Sequence, residues 1–143
     1  ASGADIAVLM CDLDWFKRIN DEHGHDAGDR ILTVFADVLR ARVRAADLCA
    51  RIGGEEFVIL APDMGPLGAL DLADRIRRAL AEQAPRAGGR LSVSIGIACA
   101  STDGYELDSL MACADRALYE AKASGRDCVR QSADMSALSS MGT

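Results

Sequence analysis

Arg51-Ile52-Gly53-Gly54-Glu55-Glu56-Phe57, continued by Val58-Ile59-Leu60, is the stretch from which the fold can be read. Apolar residues flank a Gly-Gly pair, and two carboxylates follow at once. Gly-Gly between two strand-like runs predicts a two-residue hairpin turn, because both residues can take φ > 0 without steric cost. Strand neighbours point to opposite faces, so Glu55 and Glu56 leave the turn on opposite sides. Upstream, Ile6-Ala7-Val8-Leu9-Met10-Cys11 is a continuous apolar run that ends in Asp12-Leu13-Asp14. A buried strand with an acidic end, beside a hairpin with an acidic tip, is a place to hold a divalent cation.

Outward from this pair, the pattern alternates between the two periodicities. Residues 6–12 read as a buried strand, and Asp14 as the cap of a short helix through Asn20, broken by Gly24. Ala27, Ile31, Val34, Phe35, Val38 and Leu39 recur at helical spacing, predicting an amphipathic helix over 27–43. Residues 48–52 and 55–61 are the hairpin, and Pro62 and Gly65-Pro66 punctuate a loop. Leu67, Leu70, Ala73, Ile76 and Leu80 mark a second long helix, ended by Pro85 and Gly88-Gly89. Leu91 to Ala100 is rich in β-branched residues and reads as a strand. Leu107, Leu110, Met111, Ala114, Leu118 and Ala121 mark a third helix, with Gly125 past its end as C-cap. Cys128-Val129-Arg130 reads as a short edge strand. Residues 131–143 are rich in Ser and Ala and are expected to be a disordered tail. Strands alternating with helices predict an α/β sheet with helices packed on it.

Composition excludes several classes of function. The 143 residues fit one domain, and 50% hydrophobic with 27% charged residues is the balance of a soluble globular chain. No apolar run approaches the ~20 residues that span a bilayer, and no basic start marks a secretory signal. These features predict a cytoplasmic domain without membrane contact, although its parent protein could be membrane-anchored. The net charge of −6 argues against binding a nucleic-acid polymer; a few placed cations would still suffice for one triphosphate. Five scattered cysteines without a C-x-x-C pair point to buried thiols rather than a disulfide framework or a zinc site. His23 and His25 fit a turn and are given no metal role.

Four blocks of this sequence resemble the GGDEF domain, the catalytic domain of diguanylate cyclases, in its GGEEF form. Besides the hairpin they are Asp12-Leu13-Asp14-Trp15-Phe16-Lys17-Arg18-Ile19-Asn20-Asp21 with Gly24-His25-Asp26-Ala27-Gly28-Asp29, then Ser94-Ile95-Gly96-Ile97-Ala98, then Ala114-Asp115-Arg116-Ala117-Leu118-Tyr119-Glu120-Ala121-Lys122-Ala123-Ser124-Gly125-Arg126. They stand in family order over roughly residues 6–130, so the resemblance makes residues 1–130 a GGDEF catalytic domain. It also sharpens the fold to the palm-like fold of nucleotidyl cyclases, a central, mostly antiparallel sheet on a βαββαβ core. Periodicity alone does not choose that topology.

The resemblance implies condensation of two GTP molecules into cyclic di-GMP with release of pyrophosphate. It nominates Asp12, Glu55 and the backbone carbonyl of Leu13 as ligands of Mg²⁺ or Mn²⁺, whose preference is for hard oxygen donors. It gives Glu56 the role of general base or further metal ligand, so Asp12, Glu55 and Glu56 are the catalytic candidates. For the triphosphate it offers the backbone N–H groups of Trp15, Phe16 and Lys17 at a helix start, together with Lys122 and Arg126. Asn20 and Asp29 are nominated for guanine, and Gly53 and Gly54 for the substrate-facing turn. Arg44-Ala45-Ala46-Asp47 matches the family's R-x-x-D product-inhibition site, with Arg75 as a third ligand of cyclic di-GMP.

Two departures stand out. The D-x-L-T-G-L-x-N-R-R segment and helix that usually precede the first strand are missing, and Trp15 replaces the more usual His or Phe. The reaction consumes two GTP while one domain carries one set of groups, so a homodimer is expected for catalysis, along with an upstream sensory or receiver domain. The alternatives are a regulatory module that binds GTP or cyclic di-GMP without turnover, and a domain serving only for docking. The intact Gly53-Gly54-Glu55-Glu56, Asn20, Asp29, Lys122 and Arg126 argue against both.

Overall fold

The first apolar run forms β1, Asp5–Leu13, and every residue from Ala7 to Leu13 is buried. In the computed structural model, which describes residues 5–87, 91–101 and 105–132, this strand is the centre of a five-stranded sheet. The elements follow in the order β1, α1 (Phe16–His23), α2 (His25–Arg42), β2 (Leu48–Arg51), β3 (Glu56–Pro62), α3 (Pro66–Glu82), β4 (Val93–Ser101), α4 (Leu107–Ala123) and β5 (Val129–Gln131). The sheet order is β2-β3-β1-β4-β5. β1 pairs antiparallel with β3 and β4, β2 antiparallel with β3, and β5 parallel with β4. The expected mostly antiparallel α/β fold is therefore present.

Burial on both faces explains why β1 reads as an unbroken apolar run rather than an alternating one. Ala7, Leu9, Cys11 and Leu13 face one core, shared with Phe35 and Leu39 of α2 and Leu72 and Ile76 of α3. Val8 and Met10 face the other, shared with Leu110, Ala114 and Leu118 of α4. By alternation Asp12 belongs to the α4 face. Phe35 meets Phe57 edge to face at 5.0 Å between ring centroids, which pins α2 onto β3 directly behind the Gly-Gly turn. No helix among the described residues is long and apolar enough to cross a membrane. The five cysteines are free.

Several local expectations need correction. Gly53 and Gly54 do not take left-handed φ; positive-φ glycines among the described residues are Gly24 and Gly125. The connection runs over residues 52–55 and is closed by Ile52 N–H to the Glu56 carbonyl at 2.9 Å. Arg51 takes over the work expected of the glycines. Its guanidinium donates to the carbonyls of Gly53 (3.0 Å) and Gly54 (2.7 and 3.1 Å), and so holds the connection in shape. Asp14 does not cap α1. Trp15 occupies that position at φ 61°, without a side-chain cap. The helix also continues past Asn20 to His23, and Gly24 at φ 89° serves as the end of α1 and the start of α2. Of the expected tail, Gln131 closes β5 and residues 133–143 lie outside the described residues.

Candidate active site

Two close packings bring the acids and the cations together. The first is at Gly96 in β4. A Cβ there would lie 2.2 Å from the Leu118 nitrogen and 2.3 Å from the Ala114 carbonyl, so α4 rests backbone-on-backbone against the sheet. This close approach sets the last turn of α4 beside the end of β1. There Lys122 Nζ forms a salt bridge with Asp12 Oδ1 at 2.7 Å. The second lies at the β1–β3 pairing. Asp12 stands opposite Glu56, and Leu13 N–H donates to the Glu55 carbonyl at 3.2 Å. Asp12 is buried, while Glu55 and Glu56 are half-buried.

Burial pushes the Asp12 carboxyl up to about 6 from its ordinary 3.8, with Lys122 opposing the shift and Glu55 and Glu56 adding to it. Between those two values the folded protein holds a proton that the unfolded chain has lost. The folded-state pKa is raised, so this group's contribution to stability falls as pH rises through that window. In the presence of a chelator, the wild type should lose on the order of 2 kcal/mol between pH 4 and 7 relative to Asp12→Asn. Urea unfolding of both proteins at the two pH values measures it. Parallel pH dependences would show that Asp12 titrates normally.

Among the described residues no three His, Cys, Asp or Glu side chains converge as a metal cluster. The nominated set contains two carboxylates and one carbonyl, so it does not require one. The observation that tests the fit is Asp12 Oδ1, which is buried and already faces a positive charge 2.7 Å away. Two hard carboxylates with such an oxygen fit Mg²⁺ or Mn²⁺.

The triphosphate candidates gather around Trp15. The first helical bond of α1 runs from Ile19 N–H to the Trp15 carbonyl, so Phe16 and Lys17 N–H groups precede the helical ladder. The Arg126 guanidinium lies over the Trp15 ring at 4.1 Å, with Arg18 at 5.9 Å. Arg126 follows the end of α4 through a Gly125 at φ 114°. Its N–H bonds the Ala121 carbonyl at 3.1 Å, and Gly125 N–H bonds that of Lys122 at 3.3 Å, the pairing of a Schellman cap.

The base candidates meet at α1 and α2. Gly28 is buried because Asn20 packs on it; a Cβ at that position would sit 1.8 Å from Asn20 Oδ1. That oxygen is buried without a donor, and Asp29, the next residue along α2, is exposed. The exposed Asp29 carboxylate is suited to a ligand rich in N–H groups.

The R-x-x-D residues are engaged with one another. Arg44 donates to the Asp47 carboxylate from its backbone N–H (2.7 Å), Nε (3.1 Å) and Nη2 (2.7 Å), and also to the Pro62 carbonyl. The Asp47 side chain is fully buried. Arg75 pairs with Asp71 on its own helix at 3.0 Å. Sequence reasoning missed Arg51 and the partners of Asp14. The carboxylate of Asp14 is buried and bonded to Ser92 and Ser94. The signal was available in Leu91-Ser92-Val93-Ser94, where polar residues alternate with apolar ones at the entry to β4.

Known proteins share this fold. The response regulator PleD of Caulobacter vibrioides is 42% identical over 132 residues, 89% of this chain and 29% of that protein. Diguanylate cyclase A of Treponema denticola is 38% identical over 127 residues, 87% of this chain and 34% of that protein. The chain thus spans about a third of the length of these curated relatives. The GGDEF domain of DgcB from Caulobacter crescentus, solved in complex with c-di-GMP, superposes with a TM-score of 0.83 at 30% identity, covering 90% of this chain and 78% of that one. The active GGEEF domain of a Vibrio cholerae diguanylate cyclase gives 0.82 at 29% identity, covering 90% and 83%. The family model of the diguanylate cyclase GGDEF domain matches residues 1–128, and the chain belongs to that family.

Proposed function

We propose that this domain condenses two GTP molecules into cyclic di-GMP and two pyrophosphates. The observation that carries the reading is the buried Asp12 carboxylate, set beside Glu55 and Glu56 and balanced by Lys122. Asp12, Glu55 and the Leu13 carbonyl would hold Mg²⁺ or Mn²⁺, which supplies charge neutralisation for the triphosphate and acidifies the attacking 3′-hydroxyl. The N–H groups of Trp15, Phe16 and Lys17 and the side chains of Lys122 and Arg126 bind the β- and γ-phosphates. Glu56 takes the 3′-hydroxyl proton. Gly54 has nothing within 4 Å of an added Cβ, so the bare connection leaves room for a nucleotide. A two-fold dimer presents the same groups to both nucleotides, making each GTP at once attacker and target. Regions outside this chain, such as the receiver implied by the name of the response regulator relative, would bring the two domains together.

Product would bind Arg44, Asp47 and Arg75 as a feedback inhibitor. Because both Asp47 oxygens already accept from Arg44, product must share or open that pair rather than enter a vacant site.

Base choice tests the substrate. Asp29 accepts from guanine N1–H and N2–H₂, a donor pair that adenine lacks, and the Asn20 amide complements the remaining edge. Calorimetric titration with magnesium should show GTP preferred over ATP by about 10²-fold or more, because a site built to hydrogen-bond a group rejects the analogue lacking it. Asp29→Ala should erase most of that preference. Equal binding of the two nucleotides by the wild type would sink the base assignment.

A further inference from the structure

We propose that Asp14 is a positioning residue, which fixes the Arg126 guanidinium for the triphosphate by clamping the backbone of Asp127. The proposal rests on the reading of Arg126 given above. Asp14 is 2% exposed, and both its oxygens are occupied. Oδ1 accepts from Ser94 Oγ at 2.6 Å; Oδ2 accepts from Ser92 Oγ at 2.6 Å and from Asp127 N–H at 2.9 Å. Three donors on a buried carboxylate leave it no role as a cation ligand, although it shares the Asp12-Leu13-Asp14 triplet with one.

The clamp acts on a backbone that does not hold itself. Arg126 (φ 67°) and Asp127 (φ 48°) are consecutive left-handed residues, and neither is glycine. Such conformations persist only where the surroundings over-determine them. Here Asp14 takes the Asp127 N–H, while Arg77 of α3 donates to the Asp127 carbonyl at 2.7 Å and pairs with its carboxylate at 3.1 Å. The loop is thus gripped by charged side chains 113 and 50 residues away in sequence. Trp15, the residue after Asp14, receives the Arg126 guanidinium on its ring. One short segment therefore holds both the backbone of the loop and the cation it carries. Lys122 lies outside this clamp, on α4 itself, so the two triphosphate cations depend on different supports.

Trp15 is the single tryptophan of the chain, so its emission reports the Arg126 contact without any nucleotide. Asp14→Asn keeps the size of the side chain but replaces an accepting oxygen with a donor. Without nucleotide, it should shift Trp15 emission in the same direction as Arg126→Ala. It should weaken GTP binding about tenfold, with a smaller loss in kcat, and combining it with Arg126→Ala should add little further loss. Asp127→Gly keeps the N–H and suits the left-handed backbone, so it should retain both emission and GTP affinity. If Asp14→Asn does not fold, Ser94→Ala removes one of the three donors and should give the same pattern in weaker form. Unchanged emission in the Asp14 or Ser94 variant, beside a clear change in Arg126→Ala, overturns the clamp. Additive losses in the double variant also overturn it. If Arg126→Ala leaves GTP affinity intact, the triphosphate reading of Arg126 fails instead, and the nucleotide-free emission still decides whether Asp14 holds the loop.

Discussion

Glu55→Gln is expected to lower turnover about 10³-fold or more while leaving the fold intact. The glutamate's structural contribution is its backbone carbonyl, which accepts from Leu13 N–H, and the substitution keeps it. What is lost is one negative charge beside Asp12, on a half-buried side chain at the open connection between β2 and β3. Charge neutralisation by a bound cation contributes several kcal/mol to phosphoryl transfer, and about 4 kcal/mol corresponds to three powers of ten in rate. Stability should move by no more than about 0.5 kcal/mol, the usual range for a change away from packed features. Single-turnover kinetics and urea unfolding on the same samples separate the two effects. A variant with a near-normal rate removes Glu55 from the mechanism.

Gly96→Ala should produce the largest loss of stability among single methyl additions in the sheet. The added carbon would meet the Leu118 nitrogen at 2.2 Å and the Ala114 carbonyl at 2.3 Å. These are backbone atoms of a helix, so no side-chain rotation relieves the clash and α4 must move off the sheet. Overpacking of this kind costs about 3 kcal/mol, or roughly 10 °C in Tm for a domain of this size. The displaced helix carries Lys122, so the contact with Asp12 should loosen as well. Calorimetry reads the first effect. The second should appear as a steeper pH dependence of stability through the Asp12 window, because Lys122 opposes the upward shift of that carboxyl. A Tm within 2 °C of wild type would mean that α4 does not rest on Gly96 as described.

The order of elements was legible because each long segment carries one clear period. Ile31, Val34, Phe35, Val38 and Leu39 stand one helical turn apart and all are buried. The unbroken run from Ala7 to Cys11 announced a strand buried on both faces. Gly125 was readable as a cap because a helix leaving in a left-handed turn needs a residue without a Cβ. The turn at Gly53-Gly54 was harder to read. Glycine permits left-handed φ but does not require it, and the hydrogen bonds that hold this connection come from Arg51. Asp14 was misread for a related reason. An acid before a helix is usually its cap, but Ser92, Ser94 and Asp127 arrive from distant parts of the chain and claim the carboxylate. The Asp12–Lys122 contact was likewise hidden, since it depends on how closely α4 approaches β4. Local chemistry is visible in a sequence; which distant donor reaches a carboxylate first is decided by packing.

The most direct test of the central claim is to incubate the purified chain with GTP and Mg²⁺ over a range of protein concentrations and identify the product by mass spectrometry. Cyclic di-GMP should form with two pyrophosphates per product, and the rate per chain should rise with protein concentration, as two facing domains require. GTP that binds but yields no cyclic dinucleotide, even when a dimeric coiled coil fused ahead of Ala1 holds two chains together, would contradict it.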